Sequence, residues 1–323
     1  IDIEGEEYYL KPMNCPHHHQ IYRHEPLSYK DLPLRLAEFG ICHRFERSGV
    51  LTGLIRARSF TQNDSHIYCR YDQLKSELLG VLKLFKEVYA DFGIHDFWFR
   101  LSLPDFDNKE KFGDVENKKM WDDAARFARE AMDEFGAKYV TGMGEATFYG
   151  PKIDVQVKNV SGKEDTIATA QIDFYSAAKF DLHFINTNGE KERPVIIHRA
   201  IMGSFDRFFA FLTEQSAGAF PVWLAPVQVK IISVGSAHIE YCRQLAADFK
   251  QANIRAEVDD NDETVGNKIR KTNNEKVPYM IVAGDKEMVS GKLAVRERGN
   301  RETREMEKKE FMEEIRKKIS QKE

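Results

Sequence analysis

The sequence predicts two domains in series: an α+β domain built on an antiparallel sheet with helices, then a smaller α/β domain. Three observations carry this. Through the middle of the chain several strand-like segments follow one another, with the helices in separate blocks, which favours an antiparallel sheet over βαβ units. The last stretch, of about a hundred residues, instead mixes strands and helices as a compact α/β domain does. Between them, the pattern changes around Phe220-Pro221-Val222-Trp223-Leu224-Ala225-Pro226. That puts the boundary at Ala225-Pro226, so the expected domains are residues 1–225 and 226–323. A chain of 323 residues suits two domains of ordinary size.

The elements follow in order. Tyr71 to Gly93 carries Leu78, Leu79, Leu82, Leu84, Phe85 and Val88 at helical spacing and stops at a glycine. Phe97 to Leu103 reads as a strand, and Lys118 to Phe135 as a second amphipathic helix. Ile153 to Val157, Ile167 to Phe174 and Phe180 to Ile185 are alternating or rich in β-formers, and Asn186 to Gly189 is a turn. Val195 to Phe208 reads as a strand, then a small-residue turn, then the start of a helix with Phe205, Phe208, Phe209 and Leu212 inward. In the second domain, strands at Val229–Val234, Ile254–Val258, Tyr279–Val282 and Leu293–Arg296 alternate with helices at His238–Ala252 and Val265–Asn273. Arg304 to Ile319 completes a βαβαββα order as a charged helix, with Glu305 and Lys309 as an i,i+4 pair.

Composition narrows the function classes. Hydrophobic residues at 42% and charged residues at 31% support a packed core rather than disorder. A net charge of −4 excludes a globally basic nucleic-acid binder, so any RNA contact must come from local lysines and arginines. The cysteines Cys15, Cys42, Cys69 and Cys242 form no CxxC pair, and no apolar run is long enough to span a membrane. A cytoplasmic location is expected. The N-terminus, Ile1-Asp2-Ile3-Glu4, is neither a signal nor a transit peptide, and it lacks a starting Met, as a chain beginning in mid-protein would.

Three features could carry chemistry. The first is Cys42-His43-Arg44-Phe45-Glu46 with Arg56 to His66. An arginine and a glutamate two apart on a strand share a face, arginine matches phosphate oxygens in a bidentate way, and Phe60 could stack on a base. By spacing alone, surface charges on a hairpin are the commoner explanation. The second is the strand, turn and helix from Val195 to Phe208, where Gly203 and Ser204 would let a ligand approach the helix start and Arg207 lies in the first turn. By itself, a core helix with one exposed arginine is again the commoner explanation. The third is a metal set. Cys15, His66 and His198 are too far apart in sequence to form a zinc signature, and adjacent histidines such as His17-His18-His19 rarely point at one ion.

Taken together, these segments resemble the threonyl-tRNA synthetases, a family of class II aminoacyl-tRNA synthetases. The likeness runs from Met13-Asn14-Cys15-Pro16 to the final helix and includes Asp31-Leu32-Pro33-Leu34-Arg35-Leu36-Ala37-Glu38-Phe39-Gly40 and Phe148-Tyr149-Gly150-Pro151-Lys152. Arg44-Phe45-Glu46 is similar to class II motif 2, and Gly203 to Arg207 to motif 3. The resemblance implies a class II catalytic sheet followed by an anticodon-binding domain. It implies zinc on Cys15, His66 and His198, chelating the amino and hydroxyl groups of threonine, with Asp64, Gln62, Tyr149 and Gln171 around that substrate. It implies ATP, with Mg²⁺, on Arg44 (α-phosphate), Arg207 (γ-phosphate), Phe60 and Glu46 (adenine). Arg44 and Arg207 would be the catalytic residues. Glu287 and Arg296 would read the anticodon of tRNA(Thr), with Lys268, Arg270, Lys271, Lys286 and Lys292 offered to phosphate.

The sequence also departs from that family. His17 stands where a glycine is usual, Asp206 stands where glutamate precedes the motif 3 arginine, and the loop Asp260–Thr264 is acidic for an RNA contact. Motif 1, which builds the family's homodimer, and the upstream editing domains have no counterpart in the sequence. The chain is therefore expected to dimerise poorly and to be weakly active without an upstream segment. A non-catalytic tRNA-binding or regulatory paralogue is the alternative reading, although it would not need all of Arg44, Arg207, Cys15, His66 and His198. A zinc hydrolase using His17 to His19 would lack a HExxH-type helix.

Overall fold

The computed structural model describes residues 1–112 and 118–323. It divides into two compact units, Ile1–Phe211 and Leu212–Glu323.

The first unit is built on seven strands: β1 (Leu34–His43), β2 (Ser59–Cys69), β3 (Phe97–Leu103), β4 (Tyr139–Met143), β5 (Lys152–Lys158), β6 (Glu164–Asp173) and β7 (Val195–Ala200). Their order across the sheet is β1-β2-β7-β6-β5-β3-β4. Every pairing is antiparallel except β3 with β4. Helix α1 (Cys15–His24) begins on Pro16, whose fixed φ suits a first turn. Helix α2 (Leu74–Asp91) buries Leu74, Leu78, Val81, Leu82, Phe85 and Tyr89 on one stripe. It packs against α3 (Lys118–Phe135), whose buried stripe of Ala124, Ala125, Ala128 and Ala131 admits a close neighbour. Helix α4 (Phe205–Gln215) follows β7 directly, as the sequence suggests. Its inward residues differ from expectation, however: Phe208, Phe211 and Leu212 are buried, and Phe209 is exposed.

One expected strand is mostly absent. Tyr175–Lys179 is a helical turn, Asp181 takes a positive φ of 52°, and only Phe184–Ile185 is extended, paired with Lys191–Glu192. The apolar alternation there reflects packing instead. Leu182 and Phe184 join Tyr22, Leu32, Tyr68, Ala177 and Ile196 in a local core under α1.

The second unit holds β8 (Val229–Ser233), α5 (Ile239–Gln251), β9 (Ala256–Asp259), α6 (Val265–Asn274), β10 (Tyr279–Ala283), α7 (Asp285–Ser290), β11 (Lys292–Glu297), β12 (Thr303–Glu307) and α8 (Lys308–Gln321). The sheet order is β9-β8-β10-β11-β12, parallel through β9, β8 and β10 and antiparallel beyond. Its core gathers Val229, Ile231, Phe249, Tyr279, Ile281, Val295, Phe311 and Ile315. The final helix starts later than expected. Gly299, with φ of 82°, turns the chain so that Thr303–Glu307 pairs back on Lys292–Arg296, with Met306 buried. Glu305 therefore meets Lys286 across the sheet edge, not Lys309 along a helix. Among the described residues, no helix is long and apolar enough to cross a membrane.

Candidate active site

Strand register builds the site. Leu36, His66, His198, Gln171 and Lys152 are direct partners in sequence across β1, β2, β7, β6 and β5, so they form one row on one face of the sheet. Side chains alternate along a strand, so Phe60, Gln62 and Asp64 share that face with His66. Helix α1 lies over it. The chain before α1 runs along the end of β1, with His43 N donating to Lys11 O at 2.8 Å, which delivers Cys15 to the row.

Cys15, His66 and His198 can each bring one ligand atom within 4.8 Å of the others. The donor set is a thiol and two imidazoles, the kind zinc takes. His198 Nδ1 lies 3.5 Å from Cys15 Sγ, while its Nε2 is held at 2.8 Å by Asp173 Oδ2. The other Asp173 oxygen accepts from the backbone N–H groups of Tyr175 and Ser176. Asp173 therefore fixes both the ring and its tautomer from behind, as carboxylates do for metal-bound histidines. Burial would push the His198 imidazole down, but the bonds to Asp173 and Cys15 and their charges raise it to about 10. His66 is driven well below its ordinary value by burial and then by the neighbouring imidazoles. Its Nδ1 lies 2.7 Å from His18 Nδ1, and its Nε2 is buried without a partner, which leaves that atom for a ligand. The residues fit a metal ion.

The histidine run divides. His17 is exposed, with no positive φ, so nothing at that position requires the family's glycine. His18 and His19 are buried against His66 and against Tyr68, whose hydroxyl is 2.8 Å from His19 Nδ1. Neither belongs to the metal-type cluster. Tyr149 reaches the row from the loop before β5, hydrogen-bonded to Gln171, with its ring 5.4 Å from that of His198. Asp64 is buried, and its Oδ2 accepts from Asn14 Nδ2 at 3.2 Å. Burial raises its carboxyl, and the Asn14 bond opposes that.

The arginines gather at one end of the same face. Arg44, Phe45 and Glu46 come just after β1 and not on it, a correction to the strand reading. Arg44 is exposed and stacks over Phe60 at 5.2 Å, and its Nε donates to Pro12 O. The start of α4 docks on the same stretch of β2: Asn63 N donates to Gly203 O and Thr61 N to Asp206 Oδ2, each at 3.0 Å. Asp206 thus does a structural job that its shorter side chain reaches. Gly203 takes a φ of 60°, and a Cβ there would press on Ile167 O, so the backbone itself calls for glycine. Arg207 is exposed, and its Nε donates to Ile55 O at 3.1 Å. Among the described residues, neither Arg44 nor Arg207 has a carboxylate partner, whereas Arg35, Arg56 and Arg70 do. Glu46, expected to meet adenine, is engaged by Arg56 at 3.0 Å.

The tRNA synthetase class II core domain (G, H, P, S and T) matches residues 1–216. The chain belongs to the class II tRNA synthetases. The HGTP anticodon-binding domain matches residues 228–318. Curated relatives include the threonine–tRNA ligase of Staphylococcus carnosus, 48% identical over 96% of this chain and 48% of its own length. That of Geobacillus kaustophilus is 49% identical over 97% of this chain and 48% of its own. The chain thus spans about half the length of the curated relatives it matches. Among solved structures, the RNA binding domain of threonyl-tRNA synthetase from Cryptosporidium parvum superposes with a TM-score of 0.89 at 32% identity, over 98% of this chain and 78% of that one.

In this class II synthetase chain the second unit carries the other expected residues. Glu287, in α7, accepts from Gly284 N at 2.9 Å, and Arg296, on β11 opposite Met280, donates to Thr303 Oγ1 at 3.3 Å. Among the described residues, no hydrogen bond or ion pair joins the two. Lys268 is not available to phosphate: it is buried, and its ammonium donates to Ser233 O, Ser233 Oγ and Asp259 O. Lys271 and Lys286 are paired with Glu263 and Glu305. Lys292 lies 3.9 Å from Glu307, and Arg270, exposed, donates to Asn267 Oδ1. In the acidic loop Thr264 accepts from Asn267 N as the cap of α6, which gives part of that loop a structural role.

The sequence offers His18 only within a histidine run weighed for metal, and it does not single out Asn14 or Asp173 as parts of the site. Asp173 is findable, since it lies two residues after Gln171 on a strand and so shares its face.

Proposed function

We propose that the chain is the catalytic and anticodon-binding part of a threonine–tRNA ligase, with residues 1–225 as the catalytic domain and 226–323 as the anticodon-binding domain. The observation that carries this is the Cys15–His66–His198 cluster set beside Asp64, Gln62, Tyr149 and Gln171 on one sheet face. The relatives named threonine–tRNA ligase support it. A zinc ion on Cys15, His66 and His198 supplies, when bound, a Lewis acid for the amino and hydroxyl groups of threonine. Asp64 accepts a proton-bearing group of the substrate, and Gln62, Tyr149 and Gln171 complete its surroundings. Valine fills the same volume without a hydroxyl and leaves these polar groups unpaired, which is how a site rejects an isostere strongly.

Arg44 and Arg207, exposed and without carboxylate partners among the described residues, take the α- and γ-phosphates of ATP, which arrives with Mg²⁺. Phe60 stacks on adenine, and Glu46 meets it once Arg56 yields. The threonine carboxylate attacks the α-phosphorus and pyrophosphate leaves. The terminal ribose hydroxyl of tRNA(Thr) then attacks the activated carbonyl and AMP leaves. The protein's contribution is position and fixed charge. Glu287 and Arg296 contact the anticodon, and the full-length protein is a homodimer in the cytoplasm.

Threonine-dependent exchange of pyrophosphate into ATP tests this. Exchange should require threonine and fall by roughly 100-fold or more in Arg44→Ala. Exchange that ignores threonine and follows another amino acid would overturn the proposal.

A further inference from the structure

We infer that Asn14 is a positioning residue for amino-acid recognition: its side-chain amide, seated on Gly40, holds Asp64 in the orientation that receives the substrate. The inference rests on the reading of Asp64 as a threonine-binding residue.

Asn14 occupies the N-cap position of α1, where an asparagine ordinarily accepts from its own helix. It makes no such bond. Its side chain turns to β2 instead, and Nδ2 donates to Asp64 Oδ2 at 3.2 Å. The residue is fully buried. Only the nitrogen end of an amide can face an ionised carboxylate, so the orientation of the group is fixed. The consequence is that Oδ1 is buried without a hydrogen-bond partner. A helix cap has thus been given up, and a buried acceptor left unpaired, to keep one donor on Asp64. Such a feature calls for an explanation.

Gly40 supplies an independent observation. It lies on β1 directly opposite Gln62, two residues from Asp64 along β2. Its φ is not positive, so the backbone does not demand glycine. A Cβ at Gly40 would fall inside the Asn14 amide, and the three atoms nearest to it all belong to that side chain. Glycine at this position makes room for the amide. Adding a methyl group there would displace the tip of a short side chain and would not disturb the sheet.

Two substitutions therefore reach the same contact from opposite sides. Asn14→Ser keeps a good N-cap residue and removes the donor. Gly40→Ala keeps Asn14 and moves its amide. Calorimetric titration of the zinc-loaded chain with threonine, and separately with ATP, reads the effect in wild type, both single variants and the double variant. Threonine affinity should fall roughly tenfold or more in each single variant, the loss expected for a hydrogen bond to a charged group. ATP affinity, zinc content and melting temperature should hold. The double variant should be no weaker than the weaker single, because both changes remove one interaction. Unchanged threonine affinity in either variant, an equal loss of ATP affinity, loss of zinc in Asn14→Ser, or additive losses would each overturn the inference. A wild-type chain that does not bind threonine would sink the reading of Asp64 and the inference with it. A wild-type chain that binds while both variants bind equally well would sink the inference alone.

Discussion

His66 and His198 stand in register on neighbouring strands, which brings two residues so distant in sequence side by side, with ligand-type atoms in reach of each other. Half of that is legible in the sequence. The period of two along Phe60, Gln62, Asp64 and His66 by itself puts four side chains on one face. Which strand lies beside β2 is not legible, because it depends on the pairing of a segment more than a hundred residues away, and no local pattern encodes that register. The histidine run misleads for the opposite reason: consecutive helical residues point about 100° apart, so His17 faces solvent while His18 and His19 are buried. The expected behaviour at this scale is specific. Cys15→Ser should lose its zinc by elemental analysis after dialysis, whereas His17→Ala should keep it. Zinc retained in the serine variant would move the site elsewhere. Treating the wild type with a chelator should likewise abolish threonine-dependent pyrophosphate exchange, and re-addition of zinc should restore it.

At the scale of elements, long periodic segments are legible and short charged ones are not. Helices α2 and α3 and strand β3 fall where their apolar spacing puts them. The Arg304–Glu307 segment reads as helix because its residues are good helix formers. The turn at Gly299 and the buried Met306 make it a strand, so tertiary pairing overrides propensity there. Two features bear direct test. Gly203→Ala forces a non-glycine residue to φ of 60° and presses its Cβ on Ile167 O, which should destabilise the first unit by about 2 kcal/mol in urea unfolding. No change in midpoint would mean the turn relaxes freely. In the second unit Lys268 ties the ends of β8 and β9 to α6 through three neutral oxygens. Lys268→Met would remove those three bonds from buried acceptors, although Ser233 Oγ would still donate to Asp259 O, and should cost about 2 kcal/mol. Equal stability of that variant would make the ammonium dispensable.

At the scale of the molecule, one unit carries a face with a metal-type cluster, a set of polar side chains beside it and two arginines that have no carboxylate partner among the described residues, and the other carries the anticodon-binding fold. Discrimination is the property that such a first unit should display. Serine keeps the amino and hydroxyl groups of threonine and lacks only a methyl, a difference worth roughly 1–3 kcal/mol. Valine loses the hydroxyl and leaves buried polar groups unpaired. Pyrophosphate exchange should therefore be supported by serine well above valine, and the reverse order would count against recognition through the hydroxyl. The central claim is that threonine meets a metal held by Cys15, His66 and His198. Zinc-edge X-ray absorption of the chain, alone and with threonine or valine, tests it most directly. The expected spectrum has one sulfur and two imidazole nitrogens among its ligands, and threonine changes it more than valine does. A zinc shell without sulfur, or a spectrum that threonine leaves unaltered, would contradict the claim.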